Sequence, residues 1–207
     1  MEKYFSHQQK LRYYLSPQTN QNKQQKLLIA LHGFGQLGQY FKRKFISLSE
    51  QYTILIPEGP HRYYLEGSSG RVGASWMTKE VREIDIENNL SWLQALLDSI
   101  LQENTFDEVI LLGFSQGAAT AARWQQQNPG NFDALILWAG VFPPDITPLK
   151  FSYSKAKKVF VLGKQDVYFD AQKQLELIAQ YQAMNFDIVH YEGEHDLDSR
   201  ILKKLLS

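Results

Sequence analysis

A serine held between two glycines, Gly113-Phe114-Ser115-Gln116-Gly117, stands where the apolar run Val109 to Leu112 ends and an alanine-rich segment of helical character begins. No ordinary loop fits between the two. The turn must be tight, its neighbours must be small, and the serine oxygen is lifted clear of the strand end. The helix that follows points its N-terminus at that oxygen, where backbone N–H groups and the helix dipole favour developing negative charge. These are the requirements of a serine nucleophile. The plainer alternative is a tight turn whose serine only caps a helix.

A serine hydroxyl attacks only when a base takes its proton. Of the five histidines, His7 lies in the polar N-terminal stretch, His61 in a long loop, and His190 inside the last apolar run, where a paired or surface role is expected. His195, in "YEGEHDL", falls between the last strand signal and the last helical signal, at the edge of the sheet where Ser115 sits. An imidazole in this role needs an acid that fixes its tautomer and stabilises its charged form. Asp166 in "VLGKQDVYF" leaves the preceding strand and is the candidate; Asp145 in "VFPPDI" is its main rival, and Asp170 reads as a helix cap. The order Ser115, Asp166, His195 is one in which serine hydrolases supply their triad. For the oxyanion, "IALHGFGQLG" leaves an early strand into a glycine-rich turn. The expected donors are the backbone N–H groups of Phe34 and Gln116, with His32 bracing the turn. A phosphate-cradling loop is the alternative, but no Gly-Lys-Ser/Thr follows.

Short apolar runs suited to strands buried on both faces cover Leu27 to Leu31, Thr53 to Ile56, Val109 to Leu112, Ala134 to Trp138, Val159 to Leu162 and Phe186 to Val189. Helical periodicity covers Tyr40 to Leu48, Ile84 to Leu101, Ala118 to Gln127, Ala171 to Ala183 and Leu197 to Leu206. That alternation predicts an α/β fold, a mostly parallel central sheet with helices on both faces and no large lid. Tyr4 to Leu15 adds an antiparallel strand or hairpin at the edge, and Gln18 to Gln25 a polar turn; residues 1–207 are expected to form one domain. The long connections Pro57 to Glu80 and Gly140 to Lys157 are candidates for function. In open sheets of this kind ligands bind beyond the carboxyl ends of the strands. The long loop after Pro57 carries Tyr63, Tyr64, Leu65 and Trp76, and Phe142, Tyr168 and Phe169 leave neighbouring strands towards the same edge; gathered at a cleft they would bind an apolar acyl or aryl group.

Twenty-two Lys plus Arg balance twenty-two Asp plus Glu, so no overall basic field points to nucleic acid. The N-terminal stretch lacks the apolar core of a signal peptide, and no segment approaches a membrane span, which predicts a cytoplasmic protein. Cysteine is absent, which removes disulfides, thiolate metal sites and a cysteine nucleophile. Monomer and homodimer both remain open.

"LHGFGQ", "PEGP", "SWM", "GFSQGA", "LGKQD" and "GEHD", in this order over nearly the whole chain, resemble the phospholipase/carboxylesterase branch of α/β-hydrolases, which includes acyl-protein thioesterases. The resemblance implies an α/β-hydrolase fold, a triad of Ser115, Asp166 and His195, an oxyanion hole from Phe34 and Gln116, and Trp76 beside the site. It implies ester or thioester substrates and no cofactor. A single domain without a peptide-docking module points to small acyl substrates, and the triad chemistry requires no metal. The alternatives are a peptidase or amidase on the same scaffold, and a non-catalytic hydrolase-fold binding protein, which would be expected to have lost a triad residue. Departures are Leu162 before Gly163, where the family often has His, Ala118 in place of a second Gly after the serine turn, and Glu194 before His195, where Gly is frequent.

Overall fold

The computed structural model describes residues 1–18, 24–148, 151 and 155–207. Its centre is a seven-stranded sheet of β1 (Tyr13–Leu15), β2 (Lys26–Leu31), β3 (Thr53–Pro57), β6 (Glu108–Phe114), β7 (Ala134–Trp138), β8 (Lys157–Gly163) and β9 (Asp187–Tyr191), in the spatial order β1-β3-β2-β6-β7-β8-β9. All neighbours run parallel except β1, which pairs antiparallel with β3. Leu27 to Leu31 are fully buried, as a strand sandwiched between two helical layers must be. Helices α2 (Arg82–Glu103), α3 (Gln116–Gln127), α4 (Ala171–Ala183) and α5 (Ser199–Leu206) cover the sheet. The small buried face of α3, Ala118, Ala121 and Ala122, lets that helix lie close on the strands.

The order of the strands decides where a site can form. From β2 the chain goes to β3 on one side, then crosses back to β6 on the other, so a crevice opens beyond the carboxyl ends of β2 and β6. Leu31 pairs with Gly113, which sets the "HGFG" turn after β2 directly beside the serine turn after β6. Phe114 pairs with Trp138 and Gly163 with Tyr191, so the exits of β7, β8 and β9 continue the same edge.

Four readings of the sequence change. The segment Tyr40 to Leu48 is one turn of α-helix, α1 (Gly38–Phe41), followed by a 3-10 helix (Lys42–Leu48). Of Tyr4 to Leu15 only Tyr13–Leu15 forms a strand. The connection Pro57 to Glu80 holds a separate antiparallel hairpin, β4 (His61–Tyr64) with β5 (Val72–Ser75), whose short, partly polar strands carry no apolar alternation. The last helix starts at Ser199 and not at Leu197, because Asp198 accepts hydrogen bonds from the Arg200 and Ile201 N–H groups and caps it. Asp170 caps α4 in the same way through Lys173 N–H. Most of the Gln18 to Gln25 turn, and part of Gly140 to Lys157, lie outside the described residues.

Glu58, from "PEGP", ties the early elements together. Its buried carboxylate accepts from Arg12 (2.9 and 2.7 Å), from Arg62 (2.8 Å) and from the Gly38 N–H (2.9 Å). Burial alone would raise its pKa; the two guanidinium groups and the N–H outweigh that and hold it below the usual carboxylate range.

Candidate active site

Ser115 occupies a backbone conformation that L-residues rarely adopt, φ 54° and ψ −116°. Such a residue costs ~1–3 kcal/mol and persists only where its surroundings leave no alternative. Here they leave none. A side chain at Gly113 would collide with the backbone of Gly117 and Ala118, and one at Gly117 with the carbonyls of Leu31 and His32. Ser115 N–H is pinned to Trp138 O at 2.8 Å, and its carbonyl accepts Ala118 N–H at 3.0 Å. The methyl of Ala118, where the resembling family has glycine, fills the space that a side chain at Gly140 would need. That departure is accommodated by a second glycine.

The other two residues converge on this serine from separate strand exits. His195 Nε2 lies 3.0 Å from Ser115 Oγ, and His195 Nδ1 lies 2.6 Å from Asp166 Oδ2. The Asp166 carboxylate is fully shielded from solvent, and its second oxygen accepts Tyr168 N–H at 3.0 Å, so both lone-pair faces are fixed. The imidazole is packed against Phe114 and meets the Tyr168 ring edge-on at 4.5 Å. Asp145, the rival acid, is elsewhere: it takes a two-pronged hydrogen bond from buried Arg123 (2.7 and 2.6 Å) and a further one from Arg82. Hydrogen bonding to Arg123 pulls its pKa down to about 2. His190 pairs with Gln174 and His61 with Asp85, which leaves both out of the crevice.

The turn after β2 is held by side chains. His32 is wholly buried, its Nε2 accepts the Gly59 N–H at 2.9 Å, and its Nδ1 is 2.8 Å from Gly33 O. Accepting at Nε2 requires that Nδ1 carry the proton and donate to Gly33 O. Burial holds the ring neutral, with its pKa lowered to about 4. Gln36 closes the turn from the other side, its Oε1 accepting Gly33 N–H and its own N–H donating to Gly33 O. Since the C=O of Gly33 and the N–H of Phe34 belong to one trans peptide and point in opposite directions, these bonds aim the Phe34 N–H. Among the described residues neither Phe34 N–H nor Gln116 N–H donates to a protein acceptor. The side chain of Gln116 faces away: Oε1 accepts Trp76 N–H at 2.9 Å and Nε2 donates to Met77 O at 2.8 Å.

An open cleft of about 590 Å³ lies over Ser115, Gln116 and His195, walled by Phe34, Ala119, Val141, Tyr168 and Phe169. Of the expected binding residues, Phe169 is on this wall. Trp76 is not: it is completely buried, stacks on Trp92, meets the His32 ring at a tilt, and donates its indole N–H to His32 O at 2.8 Å. It supports the turn from below. Phe142 is likewise buried, against Phe151 and Tyr181. Leu65 lines a second groove, beyond the "HGFG" turn, and Tyr64 stands half exposed on β4. The hairpin, invisible in the sequence pattern, turns these two away from the serine. Val141 and Gln36 were missed; only their places next to glycines at strand exits could have signalled them. Exposed Glu194 lies outside the cleft wall.

Comparison with known proteins agrees with this architecture. Residues 20–198 match the family described as "Serine hydrolase (FSH1)". No curated protein matches the chain in sequence. Among solved structures, the chain is similar to esterase PE8 (20% identity, 94% of this chain and 99% of that one, TM-score 0.66). It is also similar to SOBER1 of Arabidopsis thaliana (20%, 87% and 95%, TM-score 0.64) and to a carboxylesterase of Bacillus cereus (17%, 94% and 91%, TM-score 0.65). At these identities the structural likeness shows the fold, that of the α/β-hydrolases. Among the described residues no helix is long and apolar enough to cross a membrane.

Proposed function

This chain belongs to the FSH1 serine hydrolase family, and from that premise we propose that it cleaves carboxylic esters or thioesters of small apolar acyl groups through an acyl-enzyme. Residues 1–207 are read as one α/β-hydrolase domain, a view supported by the single seven-stranded sheet to which all the proposed catalytic groups attach. The observation that carries the proposal is the relay at the strained turn: Ser115 Oγ at 3.0 Å from His195 Nε2, and His195 Nδ1 at 2.6 Å from Asp166.

In this mechanism Ser115 Oγ attacks the acyl carbon while its proton passes to His195 Nε2. Asp166 holds Nδ1–H and stabilises the imidazolium. The negative charge that forms on the carbonyl oxygen is received by the N–H groups of Gln116 and Phe34, an interaction typically worth ~3 kcal/mol per donor. The tetrahedral species collapses, His195 Nε2–H protonates the leaving alkoxide or thiolate, and the acyl group remains on Ser115. Water then repeats the sequence, its proton going to His195 and its oxygen to the acyl carbon, which regenerates Ser115 and frees the acid. His32 acts through the Gly33–Phe34 peptide. A carbonyl that already accepts hydrogen bonds makes the N–H of the same peptide a better donor, and its direction is fixed before substrate arrives.

The apolar wall of Phe34, Val141, Tyr168 and Phe169 supports an apolar acyl or aryl substituent, each buried methylene contributing ~0.8 kcal/mol. Labelling with a fluorophosphonate, followed by kcat/KM across aryl esters, thioesters and anilides of increasing acyl length, tests the reading. Ester or thioester turnover that rises with acyl length and outpaces the matching anilides is expected. Faster anilide turnover would instead make the protein an amidase, and absence of labelling would remove the serine mechanism altogether.

A further inference from the structure

The chain is neutral overall, but its charges are not evenly placed. Residues 1–49 contain eight Lys and Arg against a single acid, Glu2; the next carboxylate is Glu50, and the rest of the chain carries the compensating excess of acids. Several of these cations are spent on internal pairs: Arg12 with Glu58, Lys26 with Glu108, Lys44 with Asp196. Lys42 and Arg43 have no carboxylate partner among the described residues. They lie over tyrosine rings instead, Lys42 4.6 Å above Tyr14 and Arg43 5.1 Å from Tyr40.

The 3-10 helix Lys42–Leu48 explains why these cations gather beside apolar side chains. Its period of three places residues three apart on one line. Phe45 and Leu48 therefore both point inward, while Arg43 and Ile46 both point out. Ile46 is 66% exposed, Tyr40 56%, and on the adjoining strand β1 Tyr13 is 46% and Leu15 42% exposed. Tyr13, Leu15, Lys42, Arg43 and Ile46 border one open groove of about 630 Å³ with Ile54 in its wall. Unpaired cations alternating with exposed apolar side chains are the chemistry of an anionic lipid interface: the cations meet headgroup phosphates, and the apolar groups enter the boundary below them.

The same helix leads to the catalytic cleft. Lys44 of this helix and Tyr40 just before it line a neighbouring groove of about 550 Å³, whose far wall is Leu65 and Arg71 of the hairpin, and Gln36 is shared between that groove and the cleft over Ser115. We propose that the face formed by β1 and the 3-10 helix docks the protein on anionic lipid surfaces and presents the serine cleft beside them. Docking is read without turnover, so it stands or falls separately from the hydrolase mechanism.

The test is co-sedimentation with vesicles of phosphatidylcholine alone and of phosphatidylcholine mixed with phosphatidylglycerol, each at low and high salt. Expected is binding to the mixed vesicles at low salt, release at high salt, and no binding to the neutral ones. Lys42→Glu/Arg43→Glu lowers binding by at least ~20-fold, from roughly fivefold for each cation lost and a further loss for each anion gained. Leu15→Ser/Ile46→Ser lowers it severalfold while leaving the salt dependence. Ser115→Ala binds as wild type, and the charge-reversed variant keeps the wild-type circular dichroism spectrum and melting temperature, which shows that it is folded. Equal binding to neutral and anionic vesicles, no binding to either, or wild-type binding by Lys42→Glu/Arg43→Glu overturns the proposal. So does capture of an acidic protein by this face without vesicle binding.

Discussion

Two neighbouring turns supply the two proposed oxyanion donors, and they are held in opposite ways. The turn at Ser115 is locked by backbone against backbone: Gly113 and Gly117 touch main-chain atoms of Ala118, Leu31 and His32, and no side chain is needed to keep the serine at φ 54°. The turn at Phe34 is held by side chains, His32 and Gln36, with Trp76 beneath and the β4–β5 hairpin against it through Gly35 N–H and Ala74 O. A steric lock cannot be relaxed by one polar substitution, whereas a hydrogen-bonded brace can be weakened in steps. The Ser115 side should therefore respond all or none, and the Phe34 side by degrees.

The largest effect expected is at the locked turn. Ser115→Ala removes one hydroxyl and leaves every glycine contact in place, so turnover falls ~10⁴-fold or more with no loss of thermal stability. A variant retaining near wild-type hydrolysis in steady-state assays would end the mechanism proposed above.

Next comes the choice between acids. Asp166→Asn is expected to lower kcat ~10³-fold with KM little changed, because the carboxylate acts on the imidazolium that forms only during reaction. Asp145→Asn should leave kcat within a few-fold but destabilise the fold by about 1–2 kcal/mol, since buried Arg123 loses its charged partner while the carboxylate itself is partly screened by solvent. Kinetics and thermal melts on both variants separate the roles, and a reversed pattern would exchange them.

The brace carries a pH signature. His32 has a folded pKa of about 4, below the ordinary histidine value of 6.5. Above pH 6.5 it is neutral folded and unfolded and adds no pH dependence. As pH falls from 6.5 towards 4, the unfolded chain takes up a proton that the folded protein refuses, and stability is lost by about 3 kcal/mol across that window. Asp145, with its pKa lowered to about 2, loses its contribution only at more acid pH, below 3.8. Melting temperature against pH should therefore slope between 6.5 and 4 in the wild type and flatten in His32→Asn. An unchanged slope in that variant would assign the acid sensitivity to another group, such as His190, whose pKa burial also lowers.

The smallest effect should be graded. His32→Ala leaves the Gly33 carbonyl with only the Gln36 N–H and is expected to reduce kcat roughly tenfold while binding of a boronic acid that mimics the tetrahedral state weakens in parallel. In His32→Asn the side-chain amide can donate where Nδ1–H did, and most of that loss is recovered. If Ala and Asn variants lose stability equally and keep the same affinity for the boronic acid, His32 is scaffold and does not aim the Phe34 N–H.

The parts of this protein that the chain alone made legible are those dictated by local sterics and by periodicity. Glycines that admit no Cβ mark the serine turn, and runs such as Leu27 to Leu31 mark strands buried on both faces. Their alternation with helical segments implies a parallel sheet, whose carboxyl edge must receive Ser115, Asp166 and His195 together. The apolar wall of the cleft was not legible. Trp76 and Phe142 are the same kind of residue as Phe34 and Tyr168, and only packing sends the first pair inward and the second to the cleft. The hairpin that carries Tyr64 and Leu65 away from the serine rests on pairing between short strands without an apolar pattern, and the outward line of Arg43 and Ile46 on a helix that tightened to three residues per turn. A sequence can state which side chains are apolar and which turns are tight. Which way an apolar side chain faces in an irregular loop depends on neighbours distant in the chain, and the tertiary structure alone decides it.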